Sequence, residues 1–324
     1  MSEPAIMEID NVNFENHQPV YNDKKEILEG FLRPQKMLNP KFFYDHHGSV
    51  LFEKITQLPE YYPTRIERKI LKDNAQSIAD HCGTETIIME PGSGSSEKVR
   101  ILLDSLRPRA YVPMDIAGDF LLESAIKLGG QFPWLDIHAV CADFSQPGWI
   151  PEKIPEGKRL VFYPGSTFGN MQPEDALDFL EKLKIFLNGS GGVLIGIDLH
   201  KPEALLNAAY NDREGITAQF NLNALNNINQ LAEADFDLAN FEHHAFYNSN
   251  EQRIEMHLVS QRDHSVSIDG ETITFGKNES IHTESSYKYT VDSFSTLVAS
   301  AGFRVVNSWV DEEVLFSVHY LELD

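Results

Sequence analysis

Between residues 86 and 198 the apolar positions gather into five short runs, at 86–89, 110–114, 137–141, 160–163 and 192–197, separated by longer stretches such as 96–106 that read as helical. Runs this short do not make helices, and their lack of alternation fits strands buried on both faces of a parallel sheet. Each run ends in polar or glycine-rich chemistry: Glu90, Asp115, Asp143-Phe144, Pro164-Gly165-Ser166 and Asp198. The pattern predicts an α/β, Rossmann-like fold, a mostly parallel sheet whose strand ends share one crevice. Residues 303–310 and 314–323 are also β-rich, and only Asp311-Glu312-Glu313 separates them. That connection is too short for a crossover helix, so a C-terminal antiparallel hairpin is predicted to close the sheet.

Outside this frame the pattern changes. About ninety residues separate Asp198 from the hairpin, far more than a crossover needs. They open with helical segments at 202–210 and 211–231. Two β-type runs follow within 241–259 around Asn248-Ser249-Asn250, then further alternation at 266–275 and 284–289. Residues 21–65 and 199–287 are therefore expected to build a smaller α+β domain beside a larger one made of 66–198 and 288–324. The first twenty residues, polar and acidic with isolated apolar positions, are expected to be a poorly ordered tail.

Composition narrows the partners. The 324 residues carry 27 Lys plus Arg against 49 Asp plus Glu, a net charge of −22 that repels nucleic acid and anionic membrane surfaces. No apolar stretch reaches spanning length and the N-terminus lacks the features of a signal peptide, so a cytoplasmic protein is expected, working as a monomer. Cys82 and Cys141 give neither a disulfide framework nor a CxxC site. Among twelve histidines, the pairs His46-His47 and His243-His244 place adjacent side chains on different faces. With no HxxxH or HExxH spacing either, no metal is expected.

The chemistry begins at Glu90-Pro91-Gly92-Ser93-Gly94, where a strand turns into a helix. A dinucleotide fingerprint wants a third glycine where this chain has Glu97. An acid at the strand end suits a cationic ligand instead, and S-adenosylmethionine, with its sulfonium, ammonium and ribose, is the expected cofactor. Asp115 ends the second strand, where a carboxylate can hold a vicinal diol, and Asp143-Phe144 ends the third, placed to bond and cover an adenine. Five parallel strands closed by a hairpin are also the layout of class I methyltransferases. Upstream, Phe42-Phe43-Tyr44, Phe52 and Tyr61-Tyr62 form an aromatic cluster between Pro40 and Pro63. It reads either as a packing corner or as the wall of a site.

The run YDHHGSVLFEKITQLPEYYPTRIERKIL, with EPGSGSSEK, FYPGSTFGN, YNDREGITAQFN, QRIEMHL and HTESSYKY, resembles the histidine Nα-methyltransferases of ergothioneine biosynthesis from about Lys41 onwards. The resemblance implies a class I methyltransferase domain, a substrate domain, and three methyl transfers from S-adenosylmethionine to the α-amino nitrogen of L-histidine. It implies cofactor contacts at Gly92, Lys98, Asp115, Asp143 and Phe144, to which the strand-end reading adds Glu90. For the substrate it implies Asn170 and Tyr210 at the carboxylate, and Tyr44, Tyr61 and Phe52 around the reacting amine. Glu284 and Ser286 are implied at the imidazole, with Met256 beside them. Pro91 departs from the apolar residue expected after Glu90 and removes one backbone N–H there.

Overall fold

The computed structural model describes residues 5–17, 23–142 and 154–324. Its strands in chain order are β1 (Ala5–Ile9), β2 (Val12–Asn16), β3 (Lys36–Met37), β4 (Ile87–Pro91), β5 (Ala110–Asp115), β6 (Asp136–Cys141), β7 (Arg159–Tyr163), β8 (Gly191–Asp198), β9 (Phe241–Asn248), β10 (Arg253–Ser260), β11 (His264–Ile268), β12 (Glu271–Phe275), β13 (Ser280–Tyr287), β14 (Phe303–Val310) and β15 (Phe316–Leu323). The backbone divides into two compact units, one of Met1–Pro19, Pro63–His200 and Tyr289–Asp324, the other of Val20–Tyr62 and Lys201–Lys288. Among the described residues, no helix is long and apolar enough to cross a membrane.

The first unit is built on a nine-stranded sheet in the order β1-β2-β6-β5-β4-β7-β8-β15-β14. The five expected strands, β6 to β8 in that order, are all parallel, and β15 and β14 follow antiparallel. Neighbouring apolar residues feed opposite cores, which explains why the runs do not alternate. Ile88, Tyr111, Leu160 and Leu194 pack with Leu102, Leu103 and Leu121. Met89, Val112, Val161 and Val193 pack with Phe179, Leu183 and Phe294. The strand order reverses at β4, with β5 on one side and β7 on the other, so the crevice at its carboxyl end is the ligand position of this architecture.

Two expectations need correction here. Residues 5–17 are not a poorly ordered tail: β1 and β2 form a hairpin whose second strand pairs in parallel with β6, Val12 opposite Ile137 and Phe14 opposite Ala139. A two-residue turn at Asp10-Asn11, with Asp10 at φ 49°, closes it. Val12 and Phe14 are buried, and Asn11 Nδ2 donates to Leu135 O at 2.6 Å. The helix expected from residue 96 begins at Arg100 and runs to Leu106. Gly92, Gly94 and Ser96 all have left-handed φ, at 68°, 52° and 55°, which no right-handed helix accommodates.

The second unit holds a four-stranded sheet, β3-β13-β10-β9, and the separate hairpin β11-β12. Helices Asp23–Phe31, His46–Ile55, Glu203–Tyr210 and Ile216–Leu231 belong to it. The helix expected across 211–231 is broken before Ile216. Gly215 is left-handed at φ 69°, and Asp212 starts the next helix by accepting the N–H groups of Ile216 and Thr217 at 2.9 and 2.8 Å. Helix His46–Ile55 starts in a comparable way, with Asp45 Oδ1 accepting from Gly48 N at 2.6 Å. A Cβ on Gly48 would lie 1.7 Å from Phe43 O, so only glycine fits.

Candidate active site

In the first unit, the turn after β4 is held against the end of β5. Gly92 N and Ser93 N both donate to Met114 O, at 2.7 and 3.0 Å, and Gly94 N donates to Asp115 Oδ2 at 3.0 Å. Asp115 Oδ1 accepts from Ala117 N at 3.0 Å. Burial holds the Asp115 carboxyl above the usual carboxylate range, with the Ala117 and Gly94 N–H groups pulling the other way. Beneath these contacts Glu90 is buried, and Tyr111 OH lies 2.5 Å from its Oε2 and 2.9 Å from Ser96 Oγ. Burial pushes Glu90 up to about 8. Its carboxyl is thus engaged with Tyr111, and the pair ties the turn to β5.

The residues present fit S-adenosylmethionine. Ser93 Oγ is buried with no hydrogen-bond partner, and the space where a Gly94 Cβ would stand has no heavy atom within 4 Å. A polar, open cradle beside a half-buried carboxylate suits a ribose and an amino-acid tail. Lys98 Nζ lies 2.6 Å from Glu67 Oε2. Glu67, which the sequence reading passed over, is buried and accepts Gly165 N with both oxygens, at 2.9 and 3.0 Å. It fixes the start of the loop that carries Asn170, the last residue of a short 3-10 turn, Thr167–Asn170. Ser166, left-handed at φ 57°, accepts Asp198 N at 2.9 Å and joins that loop to the end of β8. Asp143 and Phe144 lie outside the described residues.

In the second unit the expected aromatic residues come together. Ring centroids are 5.8 Å apart for Tyr44–Phe52, 6.4 Å for Phe52–Tyr61 and 6.3 Å for Tyr61–Tyr210, all edge-on. Phe220, buried in the helix Ile216–Leu231, touches Phe43, Tyr44 and Phe52 at 4.7, 5.6 and 5.9 Å and holds the group from behind. The sequence reading did not single it out, although it lies within YNDREGITAQFN. Phe42 and Phe43 are buried packing residues, while Tyr44, Phe52 and Tyr61 stay partly exposed. The packing reading therefore fits Phe42 and Phe43, and the partly exposed rings are the members left to serve a site.

Met256 and Glu284 face each other across β10 and β13, which puts both side chains on one face of the sheet. Ser286, two residues on, shares it. Burial pushes Glu284 up to about 7, against the opposing charge of Lys288. Tyr210 OH donates to Ser286 Oγ at 2.9 Å, and the buried Lys288 Nζ lies 2.8 Å from the same oxygen and 3.4 Å from the Tyr210 oxygen. Tyr210 thus reaches Ser286 in addition to the carboxylate role expected for it. Lys288 was absent from the sequence reading, and its spacing from Glu284 and Ser286 was the available signal.

The opposite face carries an ionic network. A bulge at Met256/His257 shifts the register so that His282 pairs with His257, and the two rings stack at 4.7 Å and 13°. Glu255, His257 and His282 each bring one ligand-type atom within 4.8 Å of the others. Glu255 is already engaged by Arg253 at 2.7 Å, His257 at 3.0 Å and Asn248 at 3.0 Å, and against the upward push of burial these partners pull its carboxyl down to about 2. A nearby guanidinium disfavours a cation, so the group reads as a structural ion-pair network. His282 Nε2 contacts the Glu284 carbonyl oxygen at 3.0 Å and Thr283 Oγ1 donates to Met256 O at 3.0 Å, which hold the bulge.

Comparison with known proteins identifies the family of the chain. The profile of a family described as "Histidine-specific methyltransferase, SAM-dependent" matches residues 23–323. The histidine N-alpha-methyltransferase of Mycolicibacterium smegmatis is 40% identical over 296 residues, 89% of this chain and 91% of that protein. Its namesake from Mycobacterium tuberculosis is 39% identical over 295 residues, with the same coverage of 89% and 91%. Ergothioneine biosynthesis protein 1 of Neurospora crassa is 31% identical over 312 residues, 89% of this chain but 34% of that longer protein.

Proposed function

Because the chain belongs to the histidine-specific, S-adenosylmethionine-dependent methyltransferase family, we propose that it methylates the α-amino nitrogen of free L-histidine three times. The product is hercynine, and the reaction is the first step of ergothioneine biosynthesis. In this reading the enzyme acts in the cytoplasm on a free amino acid. The observation that carries the substrate assignment is the buried polar face of Glu284 and Ser286 beside Met256, in the unit that also holds the aromatic group.

When bound, S-adenosylmethionine supplies a methyl group activated by a sulfonium leaving group. In this reading Asp115 accepts hydrogen bonds from the ribose hydroxyls, and Glu67 orients Lys98 and the loop of Asn170. Methyl transfer is an in-line displacement, so the main task of the protein is to align the amine lone pair. Glu284 and Ser286 grip the imidazole, while Asn170 and Tyr210 hold the carboxylate. Tyr44, Phe52 and Tyr61 surround the amine with π-faces that favour the growing positive charge. The first transfers also release amine protons. A phenol or bound water is sufficient to take each one, so no strong general base is needed.

The test is incubation with the cofactor and L-histidine or histamine, read by mass spectrometry. Histidine should gain three methyl groups and histamine essentially none, because without a carboxylate the polar atoms of Asn170 and Tyr210 would be desolvated and unpaired. Comparable turnover of histamine would remove the carboxylate assignment.

A further inference from the structure

Glu284, Ser286 and Lys288 occupy alternate positions at the end of β13, so they continue one face. Lys288 stands one step past the strand, where its N–H donates to Gln252 O at 2.9 Å. The residue is 3% exposed, and lysine is seldom buried so deeply unless it is paired. The ammonium has three N–H groups and no lone pair, so at 2.8 Å from Ser286 Oγ it acts only as a donor. Tyr210 gives its phenol proton to the same oxygen. A hydroxyl has two lone pairs and one proton. With both lone pairs engaged, Ser286 is left its proton to offer a ligand.

We propose that Lys288 is a positioning residue that fixes Ser286 as a hydrogen-bond donor, so that this face accepts a neutral azole in one tautomer, its N–H toward Glu284 and its nitrogen lone pair toward Ser286. The inference rests on the reading of Glu284 and Ser286 as the imidazole end of the site. It extends that reading by giving the pair a fixed polarity. When Tyr210 turns its proton to the substrate carboxylate, the ammonium, 2.8 Å from the serine oxygen and 3.4 Å from the phenol oxygen, donates towards both and disfavours a serine proton directed between them. Without Lys288, the Ser286 hydroxyl is free to rotate and donate to the Tyr210 oxygen, which presents a lone pair to the ring nitrogen instead of a proton. Two acceptors would then face one another.

The experiment is a double-mutant cycle on the full chain, using Lys288→Met, Ser286→Ala and the double variant. Histidine kinetics are measured at saturating S-adenosylmethionine, and cofactor affinity by calorimetry. Each single variant should raise the histidine KM about tenfold or more while kcat and cofactor affinity stay within about threefold. The double variant should be no more than about twofold worse than Ser286→Ala alone, because Lys288 acts through that hydroxyl. A merely structural lysine would give multiplying effects and weaken the cofactor as well, and that result overturns the proposal. An unchanged KM in Ser286→Ala overturns the imidazole reading itself, which separates the two failures. If Lys288→Met does not accumulate as folded protein, Lys288→Leu, which likewise has no donor for Ser286, supplies the same cycle, with the same outcomes deciding it.

Discussion

Burial pushes the Glu284 carboxyl up to about 7, and the sign of the resulting pH effect follows from that cause. Burial disfavours the charged form, so the carboxyl gains a proton as the pH falls through about 7. A protonated carboxyl is a poorer acceptor for an imidazole N–H. The kcat/KM for histidine should therefore fall below pH 7 along a limb belonging to the free enzyme. In Glu284→Gln that limb should vanish, leaving the titrations of the substrate's own amine and imidazole. At pH 8 the variant should lose on the order of tenfold to a hundredfold in kcat/KM, from roughly 1.5–3 kcal/mol of charge-assisted hydrogen bonding. A pH profile of Glu284→Gln that keeps the same limb would assign it to another group. His282 and Tyr287 are poor substitutes, since His282 stacks on His257 on the opposite face and Tyr287, next to Ser286, is bonded by Arg253 there. Glu284, Ser286 and Met256 were legible only by resemblance, since nothing in their spacing names a ligand. Glu67 and Phe220 escaped because their roles depend on remote partners, such as Glu67 on Gly165, 98 positions away, whereas Lys288 lay in a quoted motif where its i, i+2 spacing names no ligand.

At the scale of elements, the buried parallel strands were the easiest to read, because apolar runs bounded by polar ends leave little freedom of register. The misses fall where one backbone angle decides. Left-handed residues at Ser96 and Gly215 delay two helices that their side chains alone would extend. Val314, at φ 57°, likewise delays β15, which starts at Phe316, while Asp311 accepts the N–H groups of Leu315 and Phe316 at 2.7 Å each. The helix His46–Ile55 offers the sharpest test of such local control. Its first turn is pressed against Phe43 O at Gly48, and the same turn sets the direction of Tyr44 and Phe52. Gly48→Ala should cost roughly 1–3 kcal/mol or more, as overpacking against backbone does. Histidine KM should rise more than the dissociation constant of S-adenosylmethionine, since the displaced rings belong to the group proposed to hold the substrate. Equal losses in both, measured by kinetics and calorimetry, would show that the turn matters only for folding.

For the whole molecule, the broad plan was legible because it rests on periodicity summed over many residues. The N-terminal hairpin was not: among the described residues its buried apolar positions are Val12 and Phe14, and two apolar residues are too few to stand out from a polar segment. Their contribution becomes visible only with β6 beside them. Deleting residues 1–17 would uncover the outer edge of β6 and the apolar surface against which Val12 and Phe14 lie. Each of those side chains contributes about 1.5–3 kcal/mol by burial, and an uncovered edge is a template for pairing with another chain. The truncated protein should thus unfold at a lower temperature and aggregate on heating, lost stability being roughly 3–6 kcal/mol. The polar face of Glu284 and Ser286 and the aromatic group belong to the other unit, so histidine affinity of the soluble fraction at low temperature should change little. Calorimetric melting and histidine titration of the two proteins side by side decide the matter. An unchanged melting temperature would mean that the hairpin adds no net stability to the sheet.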